Sequence, residues 1–317
     1  MDIIHNILDQ DFQFDSSTTL TIGNFDGIHR GHSSIFEKVI SIARKNGTIG
    51  AVVTFDPHPS TILTPDRLPR LLTTTQEKLD ILESANVPTV ILIPFDKRFS
   101  QHSAVWFLEE ILIRKLRATH IVIGVNHAFG RNREGDVDFL KNVLPEKGIA
   151  LDVVKPVRES KEMVSSSAVR SIMNDGDFGN AIKMLGHPYP LYGRVVPGRG
   201  IGKALGYPTI NIQVIKEKLI PASGVYACSL HIDRRTIGGM LYIGTRPTFD
   251  GKTKVIEISC FEPLDIQIGD CLKSFALRYF RQDMKFESPD LLVEQMRRDE
   301  KMISSFLGKQ KIKLTSG

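Results

Sequence analysis

The chain has 317 residues, 41% hydrophobic and 24% charged, a composition ordinary for a folded protein and a length too great for one typical core, so two domains are expected. Its formal net charge of +5 is scattered along the sequence rather than gathered into a basic arm, which argues against a nucleic-acid partner. No apolar run reaches membrane-spanning length, the first residues lack a signal-peptide pattern, and three widely spaced cysteines give no disulfide framework; a reducing cytoplasm with no membrane partner is the expected setting.

The first informative element is a short strand, Thr18 to Ile22. A helix is expected over Ser33 to Asn46, where Ile35, Phe36, Val39, Ile40 and Ala43 recur at helical spacing and Gly47 stops the run. Between them lies Gly23-Asn24-Phe25-Asp26-Gly27-Ile28-His29-Arg30-Gly31-His32, a tight strand-to-helix turn. Glycine allows close backbone approach, and a helix start offers unpaired N–H groups with a positive dipole end. Such a turn suits phosphate, and two imidazoles beside it suit charge developing on a reacting phosphate.

The first half continues by alternating strands and helices. Strands are expected at Ile49 to Phe55, Thr89 to Ile93, Thr119 to Gly124 and Ile149 to Val154. Helices are expected at Gln76 to Asn86, Ser103 to Leu116 and Asp136 to Lys147. That order predicts a parallel sheet with helices on both faces and a ligand beyond the strand C-termini. Near Pro188 the pattern changes to short β-like runs: Tyr192 to Val196, Gly224 to Ile232, Thr236 to Ile243, Lys254 to Phe261 and Leu272 to Tyr279. These predict an antiparallel barrel or sandwich, closed by an amphipathic helix over Pro289 to Phe306. No cluster of His, Cys, Asp or Glu has metal-ligand spacing, and nothing reports oligomeric state.

Several strings carry a family resemblance. The Gly23–His32 turn resembles the G-x-F-D-x-x-H-x-G-H signature of nucleotidyltransferases. Thr54-Phe55-Asp56-Pro57-His58-Pro59, the Gly124–Gly130 loop and Val164-Ser165-Ser166-Ser167-Ala168-Val169-Arg170 resemble segments of bacterial FAD synthetases. Gly202-Lys203-Ala204-Leu205-Gly206-Tyr207-Pro208-Thr209-Ile210-Asn211, Gly224–Ala227 and Ile243–Thr248 resemble riboflavin kinase strings. Together they cover nearly the whole chain, which resembles the bacterial bifunctional riboflavin kinase/FMN adenylyltransferase (FAD synthetase) family.

The resemblance implies an N-terminal Rossmann-like α/β nucleotidyltransferase domain, residues 1–186, followed by an antiparallel β-barrel riboflavin kinase domain with a terminal helix, 187–317. The substrates implied are riboflavin, FMN and ATP, with Mg²⁺. In the first domain, ATP lies along Gly23, Phe25, Asp26 and Gly31, with His29 and His32 on the triphosphate. Asn126 faces the nucleotide, while Ser165, Ser166 and Arg170 grip the leaving pyrophosphate. Asp26 reads equally well as a turn residue. In the second domain Glu257 is the general base, Thr209 and Asn211 hold Mg²⁺, and Gly198, Gly202, Lys203, Gly206 and Pro208 shape the ATP loop and its turn. Arg281 is implied on the substrate, or is a charge at a strand end.

Some positions depart from the family strings: His127 for an aromatic residue, Ala128, Lys203 for Arg, Ile210 for Ala, Asp283 for Glu, and the stretch Glu262–Gly269. They keep two other readings in view, an FMN adenylyltransferase with a weakened kinase module and a flavin-nucleotide sensor without turnover.

Overall fold

The computed structural model describes residues 1–314 apart from 6, 10, 68, 160, 161, 199, 201, 203, 204, 234, 249 and 250. The chain divides into two compact units, Met1–Ala168 and Val169–Gly317. In this division the helix just before the barrel, Phe178–Leu185, goes with the second unit.

The first unit is built on six strands: β1 (Asp2–Ile4), β2 (Thr18–Ile22), β3 (Ile49–Asp56), β4 (Thr89–Pro94), β5 (Ala118–Gly124) and β6 (Ala150–Val154). They pair in parallel in the order β1-β4-β3-β2-β5-β6. Both sheet faces are covered, which is why the strands read as nearly continuous apolar runs. Val53, Ile91 and Ile93 pack on one side with Phe107, Leu108 and Ile111. Val52, Val90 and Leu92 pack on the other with Phe36, Leu79 and Leu82. The chain runs β2, β3, β4 toward one edge and then crosses to β5 and β6. The strand order therefore reverses between β2 and β5, and the loops after those two strands open at one end of the sheet, the place where such folds bind ligands.

Helix α1 spans Arg30–Asn46 and ends where expected: Gly47 adopts a left-handed backbone, φ 66°, and its N–H bonds the Ala43 carbonyl. Helix α2 spans Thr75–Ser84 and opens on a capping box between Thr74 and Glu77. Helix α3 is shorter than expected, Val137–Val143, because Pro145 starts a separate 3₁₀ turn. The helix expected over Ser103 to Leu116 has one α turn at Ala104–Trp106 and then a π-helix at Phe107–Lys115. Over nine residues the apolar spacing serves either ladder, so sequence periodicity does not separate them.

The second unit begins with α4 (Ser166–Asn174), which crosses the division, and α5 (Phe178–Leu185). Six antiparallel strands follow: β7 (Tyr189–Val196), β8 (Ile210–Gln213), β9 (Gly224–Ile232), β10 (Arg235–Thr248), β11 (Gly251–Cys260) and β12 (Cys271–Gln282). They close as β7-β8-β11-β10-β9-β12, so the barrel alternative holds over the sandwich. Helix α6, Pro289–Leu314, lays Ile303 and Leu307 on Val225, Ala227 and Met240. A Cβ at Gly238 would lie 2.7 Å from Leu307 Cδ1, so glycine there admits the helix. β1 and β8 carry no signal in the sequence pattern; both are short, and β8 starts at Ile210, in the last two residues of the string that ends at Asn211. The cysteines Cys228, Cys260 and Cys271 are free.

Candidate functional site

Phosphate-type chemistry has a candidate place in each unit. In the first it is the turn after β2. Gly23 donates its N–H to the Val53 carbonyl at 3.0 Å, and a Cβ there would meet the Phe25 ring at 2.8 Å. Phe25 and Ile28 both take positive φ, 47° and 39°. Each such backbone costs ~1–3 kcal/mol. Both side chains are buried, Phe25 against Phe36 and His32, which returns about 1.5–3 kcal/mol apiece. The two apolar side chains thus help to hold the turn.

Two histidines stand at the start of α1. His29 is the N-cap residue but makes no side-chain cap, and the first turn carries no acidic side chain. The helix end therefore keeps its positive character. The imidazoles of His29 and His32 stack at 3.6 Å, 18° from parallel. His32 Nδ1 is buried and finds no hydrogen-bond partner among the described residues. Burial, then the neighbouring His29 and Lys78, push the His32 pKa well below the usual imidazole range. It is a neutral ring at neutral pH.

Asp26 is 3% exposed. Its carboxylate accepts from the N–H groups of Leu72 at 3.1 Å and Thr73 at 2.9 Å, and from the Thr73 hydroxyl at 3.2 Å. Those bonds fit the turn-residue reading and tie the Leu72–Thr73 segment under the loop. Ser166 also reaches the loop, donating its hydroxyl to the Asp26 carbonyl at 2.8 Å. Ser165 caps its own helix, accepting from Ala168 N–H at 3.2 Å. Gly31 packs beside this segment: a Cβ there would lie 3.8 Å from the Val164 carbonyl and 3.1 Å from the His29 ring. The structure so brings Gly23, Phe25, Asp26, His29, Gly31, His32, Ser165 and Ser166 together. Arg170 lies further along α4, beyond the division between units.

Asn126 stands in the loop after β5, exposed, in an open recess with His127, Arg133 and Asp136. Burial first, and Arg133 second, push His127 down to about 4. Its Nε2 is buried with no hydrogen-bond partner among the described residues.

In the second unit a cavity of about 300 Å³ opens in the barrel. Gly202, Thr209, Asn211, Glu257 and Arg281 all line it, five residues singled out from sequence. Strand register explains the meeting: Asn211 on β8 pairs directly with Glu257 on β11, which pairs directly with Tyr242 on β10. Directly opposed residues share a face, so the three side chains stand in a row. Two glycines press the preceding loop onto the row. A Cβ at Gly198 would fall 2.2 Å from Asn211 Nδ2, and one at Gly202 would fall 2.3 Å from the Tyr207 carbonyl and 3.1 Å from Thr209 Oγ1. Gly206 has φ 80°, a turn that favours glycine, and Pro208 is exposed beside it. Lys203 lies outside the described residues. The hydroxyl of Thr209 and the amide oxygen of Asn211 are hard donors of the kind that suits Mg²⁺, and the Glu257 carboxylate lines the same cavity.

Arg281 is not an exposed strand-end charge. Its Nε donates to Asp299 at 3.0 and 2.9 Å and its Nη2 at 2.7 Å, a forked pair with a buried carboxylate. Gln295 donates to the same carboxylate at 2.8 Å. The pair fastens β12 to α6. Sequence reasoning missed Asp299, Lys78 and Tyr242. Asp299 sits on the apolar stripe of α6 with Met296 and Ile303, and Lys78 on the stripe of α2 with Leu82. A charge on such a stripe is the signal that could have found both. Tyr242 donates to Asp283 at 3.0 Å; burial first, then Asp283, lift its pKa to about 12. No sequence signal marks that contact.

Comparison with known proteins agrees in both halves. Residues 11–168 match the family described as FAD synthetase, and residues 185–307 match riboflavin kinase. A bifunctional riboflavin kinase/FMN adenylyltransferase of Escherichia coli strain K12 is 33% identical over 290 residues, 91% of this chain and 92% of that one. Its counterpart in Listeria monocytogenes strain EGD-e is 29% identical over 308 residues, 96% and 98% of the two chains. A crystal structure described as a macrolide-efflux protein from Streptococcus pneumoniae is 30% identical with a TM-score of 0.84, covering 96% of this chain and 99% of that one. Among the described residues here, no helix is long and apolar enough to cross a membrane.

Proposed function

The chain belongs to the bacterial bifunctional riboflavin kinase/FMN adenylyltransferase family, and we propose how its residues divide the two reactions that make FAD. The first reaction converts riboflavin and ATP to FMN; the second joins FMN to the adenylyl group of ATP and releases pyrophosphate. Residues 187–317 carry the kinase and residues 1–186 the adenylyltransferase. The observation that carries this reading is the row Asn211–Glu257 in the barrel cavity, present in the same chain as the stacked histidines at the switch point of the parallel sheet.

In the barrel a ribityl hydroxyl of riboflavin attacks the γ-phosphorus of ATP. The oxygen–phosphorus bond to ADP breaks as the new one forms. A hydroxyl is a weak nucleophile, and Glu257 takes its proton. Thr209 and Asn211 would hold Mg²⁺, which when bound neutralises phosphate charge. Gly198, Gly202 and the turn through Gly206 and Pro208 bring backbone to the phosphates, and Lys203 joins them by its place in the same sequence string. Arg281, held by Asp299, keeps the cavity wall in place beside the substrate.

In the sheet unit an FMN phosphate oxygen attacks the α-phosphorus of a second ATP, and the bond to the bridging oxygen of pyrophosphate breaks. That phosphate is already ionised, so no base is needed. His29 and His32 donate hydrogen bonds to the triphosphate at the uncapped start of α1, where Gly23 and Gly31 allow close approach and Phe25 and Asp26 hold the turn. Asn126 contacts the nucleotide; Ser165, Ser166 and Arg170 hold the leaving pyrophosphate.

Labelled riboflavin incubated with ATP and Mg²⁺ tests the whole reading. FMN is expected first and FAD after it; the appearance of neither product would end it. Supplying FMN directly separates the activities.

A further inference from the structure

We propose that Lys78 is a positioning residue of the adenylyl-transfer site: through Thr54 its buried ammonium holds the nucleotide turn in place, and with burial and His29 it keeps His32 a neutral hydrogen-bond donor to phosphate. The inference rests on the function proposed above for this unit and adds a residue to it.

Lys78 is 3% exposed, on the face of α2 turned toward the sheet. Its Nζ donates to Thr54 Oγ1 at 3.1 Å, and that hydroxyl donates to the Asn24 carbonyl at 3.4 Å. A hydrogen-bonded path thus runs from the helix, through the end of β3, into the turn itself. Four elements face the ammonium or its neighbours. The turn presents Asp26, and the end of β3 presents Asp56; both favour the charged amine. Helix α1 presents His32, which feels the ammonium and the His29 ring. On α2 itself, Glu77 is spent on its capping box, accepting from Thr74 N–H at 2.7 Å.

Burying an ammonium costs several kcal/mol unless nearby groups compensate. Here the carboxylate facing it from the turn is shared with the backbone donors of Leu72 and Thr73. With Asp26 and Asp56 both facing it, the ammonium is compensated in place, and its hold on the turn runs through Thr54 to the Asn24 carbonyl. Burial first, then His29 and Lys78, keep the His32 imidazole neutral. Triphosphate charge is then met by the helix end on a turn that Lys78 holds, while His32 donates a hydrogen bond without exchanging its proton. Burial lowers the Lys78 pKa to about 8, so the ammonium is largely present at neutral pH and is lost just above it.

The test follows initial rates of FAD formation by the full-length chain from FMN, ATP and Mg²⁺ across neutral to alkaline pH. The expected kcat/KM for ATP falls along an alkaline limb near pH 8. The limb in kcat lies higher, because bound triphosphate favours the charged amine. Lys78→Arg stays charged, so its limb leaves the range while its neutral-pH rate stays within about tenfold of the parent. Lys78→Met loses the limb and at least about tenfold in rate. An NMR titration of the His32 imidazole should move up in pH in folded Lys78→Met. A limb shared by parent and Lys78→Arg, no limb in the parent, or an unmoved His32 titration overturns the inference. Should either variant fail to fold, the limb of the parent decides. A chain that makes no FAD at any pH refutes the functional reading instead, and the His32 titration still decides this one.

Discussion

On the assignment proposed above, the parallel-sheet unit meets phosphate with a helix start and imidazoles, whereas the barrel meets it with oxygen ligands beside a carboxylate. The acidity of the attacking group accounts for the contrast. FMN phosphate arrives ionised and needs only to be placed and neutralised, so the site proposed for it is made of donors on a turn held by a buried cation. A ribityl hydroxyl arrives protonated, so its site carries Glu257 in direct register with Asn211. The two units also spend buried charge differently. Lys78 stands under a turn that binds, while Arg281 and Asp299 are spent on each other, joining a strand to a helix.

Glu257→Gln should separate the units most sharply. FMN formation is expected to fall ~10²–10⁴-fold, with FAD synthesis from supplied FMN unchanged within about twofold, both read by chromatography of the flavins. Equal losses in both activities would dissolve the contrast. Next in size, Asp299→Ala leaves the Arg281 charge buried without its carboxylate and should cost ~3–5 kcal/mol in the barrel unit. Calorimetry should show one transition shifted down and the sheet-unit transition unmoved. Replacing His29 and His32 together with Ala should lower FAD formation ~10²–10³-fold and spare FMN formation. A rate at the parental level would show that the imidazoles are not at the phosphate.

The smallest effect is pH-dependent. His127 is buried neutral with its pKa drawn to about 4, below the unfolded value of about 6.5. Its contribution to stability is full above pH 6.5 and is lost as pH falls toward 4, because the unfolded chain takes up the proton first. His127→Phe removes that loss. The variant should gain on the order of 1 kcal/mol over the parent between pH 7 and pH 5, read by thermal melts, with part of the ring still near solvent limiting the size. Parallel melting curves at both pH values would count against it.

Much of both units was legible because periodicity changes from helix-and-strand alternation to short β runs. The strand at 18–22, the left-handed stop at Gly47 and the barrel strand at 224–232 fall where the pattern places them. What escaped has a physical reason in each case. The π-helix shares its apolar spacing with an α-helix. β1 is three residues on a sheet edge, too short for a periodic signal. Lys78 and Asp299 are charges whose helices read well without them, so their burial shows only when the partner elements are in place. Arg281 was legible as a residue of the cavity, but its partner stands 18 residues away on another element, and pairing across that distance is set by tertiary packing. Tyr242 and Asp283 meet across β9, which pairs with β10 and with β12, the strand that ends just before Asp283, a neighbourhood set by tertiary pairing.

Closure itself has a consequence for biosynthesis. β12 pairs with both β7 and β9, and it is the last strand to be made. All six strands of the parallel sheet precede residue 155, so that sheet can fold on the ribosome while the barrel waits. A nascent chain stalled before Cys271 exposes two unpaired strand edges, the surface that chaperones guard and that aggregates if left open.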